Sequence, residues 1–353
     1  MNFNMLTLAR ELAGLTQVEL VNRIPGLNQG NYSKMEKGLL NISDELLAKI
    51  SYELNLPKSF FSRPTPNTDL NAVYYRKKQS ISIKELGSFR AQTKVFSMNI
   101  DDLLTSIEIP AFELPKMKVT ENLSADEIAH RIRVFMQLPS GPIENIIRRF
   151  ESKGIIVHFI NNAPEGFDGI AILTNNNQPV ILVNNDLPND RKRFTLAHEL
   201  GHLVMHLRFS DITDDHKTIE KQANLFASEF LMPLDEIRND LNRLTYGKLG
   251  LLKSFWKVSK ASIIYKALQS EFIDDTKATN LRIELSRNGE RKNEKIFIEI
   301  DTPILIQKII DAHLNDLNYS KQEIIDYLSI NNELFENLIN RTATYKKLKL
   351  TLV

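Results

Sequence analysis

Two histidines four residues apart, His198 and His202, stand in the stretch TLAHELGH (195–202), with Glu199 after the first and Gly201 before the second. On a helix, residues four apart share one face, one turn above the other. Two imidazoles placed this way can hold a single metal ion through their ring nitrogens. Glu199 is rotated about 100° from His198 around the helix axis, so it stands beside such an ion, not on it. A general base that takes a proton from water needs that position. Gly201 lets another segment approach the helix closely. The plain alternative is a helix turn that happens to be rich in His and Glu. His206 continues the four-residue stripe and reads as a structural or rim residue. His130, His158, His216 and His313 read as structural.

Two imidazoles make an incomplete site, because a catalytic zinc takes three protein ligands and keeps one position open. The chain has no cysteine, so thiolate sites, disulfides and cysteine nucleophiles are excluded, and the third ligand is a carboxylate or another histidine. The stretch IEKQANLFASEFLMP (219–233) offers Glu220 and Glu229. Glu220 is the preferred ligand and Glu229 the runner-up. Asn224, one turn after Glu220, is placed to support a ligand histidine by hydrogen bonding. The expected ion is one zinc per chain, with manganese as the alternative for a His/Glu donor set.

The elements that must position these groups follow from the rest of the 353 residues, a length that points to two or three domains. Hydrophobic content of 42% and charged content of 25% are those of a water-soluble globular chain. The net charge of +1 gives no global argument for nucleic acid or membrane. No signal-like N-terminus or membrane-length apolar run is present, so a cytoplasmic protein without membrane contact is expected. Residues 1–62 read as four or five short helices, with Thr16, Asn28 and Ser43 as N-caps. Residues 63–110 read as a linker followed by a helix. The runs 154–160, 169–173 and 179–184 are β-branched and short, and predict a small sheet. Helices are predicted from Asn189 for about sixteen residues, over 216–231, and through most of 243–272. NLRIELS (280–286) and KIFIEID (295–301) read as strands, and 303–348 as largely helical.

RFTLAHELGHLVMH followed by EKQANLFASEFLMP resembles the ImmA/IrrE family of zinc metallopeptidases. FDGIAIL with NQPVILVNN upstream, and LGLLKSFWKVSKASIIYKALQ downstream, extend the resemblance over about residues 70–275. The resemblance implies a gluzincin-like minimal fold, a short sheet beside the active-site helix with a second helix giving the third ligand. It also implies hydrolysis of a protein substrate, such as a transcriptional repressor. In that reading Glu199 takes the proton of the attacking water and delivers it to the leaving amine. The strand PVILVN is expected at the sheet edge, where an extended substrate could pair with it. No residue is singled out to stabilise the oxyanion.

LTQVELVNRIPGLNQGNYSKMEKG resembles the helix-turn-helix of the Xre/Cro repressor family. The resemblance implies that Gln17 contacts the DNA backbone, that Asn28 caps the second helix, and that Gln29, Asn31, Tyr32, Ser33 and Lys34 face DNA. Two features depart from the pattern. Gly30 lies inside the recognition helix, where it costs about 1 kcal/mol. Residues 1–62 carry six basic and six acidic side chains, whereas a DNA-binding domain is normally basic. Packing on a partner repressor, or homodimerisation, is the alternative use of the module. YYRKK (74–78) offers extra positive charge, and the basic tail from 341 reads as a solvated end.

The expected architecture is therefore α+β. An all-α helix-turn-helix module (1–62) and a linker with a helix (63–110) precede a metallopeptidase domain (111–242) and a mostly helical C-terminal region (243–353), a sensor or substrate-binding part. Two functions compete. One is a zinc endopeptidase coupled to DNA binding. The other is a regulator or antitoxin that acts by binding alone, with a structural or vestigial metal site. A pure binder has no need of the base Glu199, which favours the first.

Overall fold

The computed structural model describes residues 1–66, 82–291 and 293–339. They form two compact units, one of residues 1–66, 82–108 and 305–339 and one spanning Ile109–Ile304. Helices dominate both, and the only sheet among the described residues has three strands. The architecture is α+β.

The first unit begins with α1 (Asn4–Leu12), which buries Met5, Leu6, Leu8 and Ala9 along one stripe. Its successor α2 (Gln17–Val21) opens with a capping box between Thr16 and Glu19. In α3 (Gln29–Glu36) the Asn28 side chain accepts from the Asn31 amide at 2.8 Å. Gly38 then turns the chain at φ +70°. Ser43 caps α4 (Asp44–Glu53), and a 3-10 turn, Lys58–Ser62, follows Pro57. A second capping box, Ser82 with Glu85, starts α5 (Ile83–Leu103), which packs on α1.

The second unit contains α6 (Ala125–Phe135), α7 (Ile146–Glu151), β1 (Ile156–Ile160), β2 (Gly169–Leu173), β3 (Pro179–Asn184), α8 (Asn189–Met205), α9 (His216–Leu231), α10 (Leu234–Leu241), α11 (Tyr246–Trp256), α12 (Lys260–Gln269) and α13 (Asp275–Arg287). Strand order is β1-β3-β2, with β1 parallel and β2 antiparallel to β3. Ala171 faces Ile181, and His158 faces Leu182. The strands are buried through four or five consecutive residues, which is why they read as apolar runs rather than alternating ones. Helix α8 lies on β2 and β3, and α9 packs on α8 and α6. Both contacts need a glycine. A Cβ on Gly201 would meet the Phe226 ring at 3.0 Å, and one on Gly169 would meet Thr195 Cγ2 at 2.4 Å. Buried Lys253 ties the start of α8 to the later chain through Asp190 and Glu294. The chain then returns to the first unit as α14 (Leu305–Asn315), α15 (Lys321–Tyr327) and α16 (Asn332–Leu338).

Four expectations are corrected. PVILVN is the central strand, paired on both sides, so it cannot receive a substrate strand. NLRIELS is helical, inside α13. Ala278, Leu281 and Leu285 are buried at helical spacing, while Ile283 is 43% exposed, so the period-two pattern around it was not the one that packs. KIFIEID forms no strand; its backbone and side chains serve as ties, with the Asp301 carboxylate accepting from the Ile147 and Arg148 amides and Ile298 O from Asn189. The compact units also cut across the expected division into linear segments: residues 243–304 share a core with α8 and α9, and 305–339 belong with the first unit. YYRKK and the basic tail lie outside the described residues.

Candidate metal centre

Helix α8 carries His198 and His202 on one face, four residues apart. Their Nε2 atoms are 3.0 Å from each other. Across from them, α9 presents Glu220, with Oε2 3.4 Å from His198 Nε2 and Oε1 3.3 Å from His202 Nε2. These three residues are the one group of His, Cys, Asp or Glu among the described residues whose donor atoms converge in this way. A tetrahedral ion with bonds of ~2.0–2.1 Å holds its ligand atoms about 3.3 Å apart. The observed separations match that spacing, so the donor set fits zinc in both chemistry and size.

The charges agree with the geometry. Burial pushes the Glu220 carboxyl up, yet hydrogen bonds and charge from His198 and His202 outweigh it and hold the group far below the usual carboxylate range. Burial lowers His198, but Glu220, the Glu199 charge and Asn224 overcome it, and the net direction is upward.

Both histidines have outer support. His198 Nδ1 lies 3.1 Å from Asn224 Oδ1, the position expected for Asn224. His202 is 2% exposed and its Nδ1 lies 3.0 Å from His206 Nδ1. Glu199 is not among the converging donors. Its Oε2 accepts from the Ala171 amide of β2 at 2.8 Å, which fixes the carboxylate between the strand and the histidine face. Glu229 is elsewhere: it pairs with buried Lys266 and accepts from the Leu234 amide at 3.0 Å. It joins α9 to α12 and to the start of α10, so the runner-up is not placed to be a ligand.

His206, read as structural or rim, and His216, read as structural, both lie at this site. His206 is buried behind His202. His216 is half exposed, with Nε2 3.8 Å from Glu220 Oε1. Both signals were present in the sequence as four-residue spacings, His206 after His202 and His216 before Glu220. His158 is buried in β1, where burial pushes it down to about 4 and keeps it neutral.

In the first unit, Gln29, Asn31 and Lys34 are exposed on α3, and Ser33 is half-buried. Asn28 performs the capping role expected of it. Gln17 donates to Glu36 at 2.6 Å and accepts from Gln29 at 2.7 Å, linking the two helices. Tyr32 corrects the expected contact set: it is 0% exposed, packed in the core with Met35 three residues on, so its ring holds α3 in place and cannot reach DNA.

No described helix is long and apolar enough to cross a membrane. Residues 150–268, which include every residue of the site, match the Peptidase_M78 family, the IrrE N-terminal-like domain. A 97-residue stretch is 36% identical to the radiation response metalloprotease IrrE of Deinococcus radiodurans. That stretch covers 24% of this chain and 30% of the relative, so the chain spans about 30% of the length of the curated relative it matches. Together these likenesses support the ImmA/IrrE resemblance, and a metallopeptidase-like function, for the part of the chain that builds the site.

Proposed function

We propose that this chain is a zinc-dependent endopeptidase coupled to DNA binding, which hydrolyses a peptide bond in a protein substrate such as a transcriptional repressor. The observation that carries the reading is the convergence of His198, His202 and Glu220 with Glu199 held beside them by β2. A zinc ion there would supply a Lewis acid for the scissile carbonyl and acidify a water. His198, His202 and Glu220 would hold it, with Asn224 orienting His198. Glu199 accepts the proton of the attacking water and returns it to the leaving amine.

The substrate runs along β2 rather than β3. Strand β2 is the outer strand on the side of α8, and it has no second strand partner among the described residues. The Asn184 amide donates to Asp168 O at 2.8 Å, so alternation turns Gly169, Ala171 and Leu173 outward. An extended peptide added there passes Glu199 directly. DNA contact is assigned to the exposed Gln29, Asn31 and Lys34, with Gln17 and Ser33 at the margin.

The test is a comparison of wild type and Glu199→Gln in a lysate of the source cell, reading newly formed protein N-termini by terminal labelling. New termini that appear only with wild type, and vanish when a chelator is added, are the expected result. Identical terminus profiles with bound zinc present would leave the binding-only regulator as the function.

A further inference from the structure

Behind His202 runs a line of polar groups that neither metal binding nor proton transfer has used. His206 Nδ1 is 3.0 Å from His202 Nδ1. His206 Nε2 is 2.9 Å from Gln222 Oε1. Gln222 Nε2 donates to Asp214 Oδ2 at 3.1 Å. His206 is 6% exposed, Gln222 is half-buried and Asp214 is exposed, so the line leads from a buried ligand to solvent.

Its polarity is dictated from the outer end. The Gln222 Nε2–H donates to Asp214 Oδ2, so the amide turns its NH₂ outward and its oxygen inward. That oxygen can only accept, so His206 carries its proton on Nε2. With its Nε2 donating to Gln222, His206 turns Nδ1 to His202 Nδ1 and accepts from it. That reserves for an ion the other nitrogen of His202, Nε2, which is the one that faces Glu220 and His198. Three groups, on α9, its leading loop and the end of α8, thus select one tautomer and one ring orientation at a single ligand.

We propose that His206, Gln222 and Asp214 form a directional hydrogen-bond chain that sets the tautomer and orientation of His202 for metal binding. His206 is thereby a positioning residue, whose effect on the ion passes through His202. The inference rests on the metallopeptidase reading above. Outer partners of ligand histidines commonly change metal affinity by about 10–100-fold, and this chain places a second imidazole, followed by an amide, where a single carboxylate or carbonyl would suffice.

The test uses the full-length chain stripped of metal, in wild type, His206→Leu, His206→Asn and Gln222→Met. Zinc affinity is read by competition with a chromophoric chelator, ligand geometry by the visible spectrum of the Co²⁺-loaded protein, and folding by the thermal midpoint of the metal-free form. His206→Leu removes the acceptor and weakens zinc by about 10–100-fold with an altered Co²⁺ spectrum. His206→Asn, whose amide oxygen can stand in for Nδ1, recovers most of the affinity and the wild-type spectrum. Gln222→Met weakens zinc by a smaller factor with the metal-free midpoint unchanged. Wild-type affinity and spectrum in His206→Leu overturn the proposal, as does an equal loss in His206→Leu and His206→Asn that follows a lowered metal-free midpoint. A Gln222→Met indistinguishable from wild type removes the outer links and overturns the chain. Absence of zinc from the wild type overturns the metallopeptidase reading and this proposal with it, whereas zinc in the wild type with no effect of His206 overturns this proposal alone.

Discussion

Helices α8 and α3 both carry side chains suited to a functional contact, and they present them in opposite ways. On α8 and its C-cap the groups face inward: Glu199, His202 and His206 are each less than a tenth exposed, and each has a partner on another element or on the next turn. On α3 the groups face outward: Gln29, Asn31 and Lys34 are exposed, and only Tyr32 and Met35 enter the core. A metal site needs a few atoms fixed about 3 Å apart, so the surrounding fold must specify them closely. A surface for DNA needs a shape, a charge and long side chains that complete their contacts only on binding. The difference predicts that mutations on the two helices fail in different ways.

The largest effects separate residues that look alike in the sequence. Glu220 and Glu229 share α9. Glu229→Gln is expected to cost about 3–5 kcal/mol, because it leaves buried Lys266 without its charge partner, yet to leave zinc stoichiometry unchanged in the folded fraction. Glu220→Gln is expected to lose zinc with little change in the metal-free midpoint. Chemical denaturation together with elemental analysis reads both, and loss of zinc in folded Glu229→Gln would break the distinction. Tyr32 and Lys34 make the matching pair on α3. Tyr32→Ala is expected to cost about 3–5 kcal/mol as a core truncation. A cost under about 1 kcal/mol would return Tyr32 to the surface.

Gly201→Ala is expected to have an intermediate effect. The new methyl group meets the Phe226 side chain at 3.0–3.3 Å, and its ring stacks on Phe230 in the core. Overpacking of this kind costs about 1–3 kcal/mol. It also moves α9 away from α8, so zinc affinity is expected to fall alongside stability. Unchanged affinity would mean that the helix contact does not set the site. The smallest effect on folding belongs to Lys34→Ala, within about 0.5 kcal/mol. If α3 contacts a phosphate through this residue, the salt dependence of DNA binding falls by about one unit of slope. A titration across ionic strengths checks it, and an unchanged slope would remove Lys34 from the interface.

Much of this arrangement was legible where a feature is local. Thr16, Asn28 and Ser43 announce helix starts because a cap is a contact over three residues. Three apolar runs announce buried strands, and His198 with His202 announces a shared helix face. Glu220 and Asn224 lie within reach of sequence reasoning because one helix turn separates them. Pairing over distance was not legible. Nothing within PVILVN states that both of its edges are covered, because that depends on β1 and β2 (Ile156 opposite Val180, Ile172 opposite Val180 on the other side). Nothing in NLRIELS alone states that Leu281 and Leu285, not Ile283, find a core. The burial of Tyr32 is legible, since its three-residue spacing to Met35 marks an inward face on a helix. The return of α14–α16 to the first unit has no local signature.

The function of this chain turns on whether TLAHELGH holds an ion. Metal content by elemental analysis, on purified wild type beside His198→Ala and Glu199→Gln, asks this most directly. The prediction is about one zinc per chain in wild type and in Glu199→Gln, with far less in His198→Ala. Wild type without bound metal after zinc has been supplied, or zinc retained in full by His198→Ala, would contradict it.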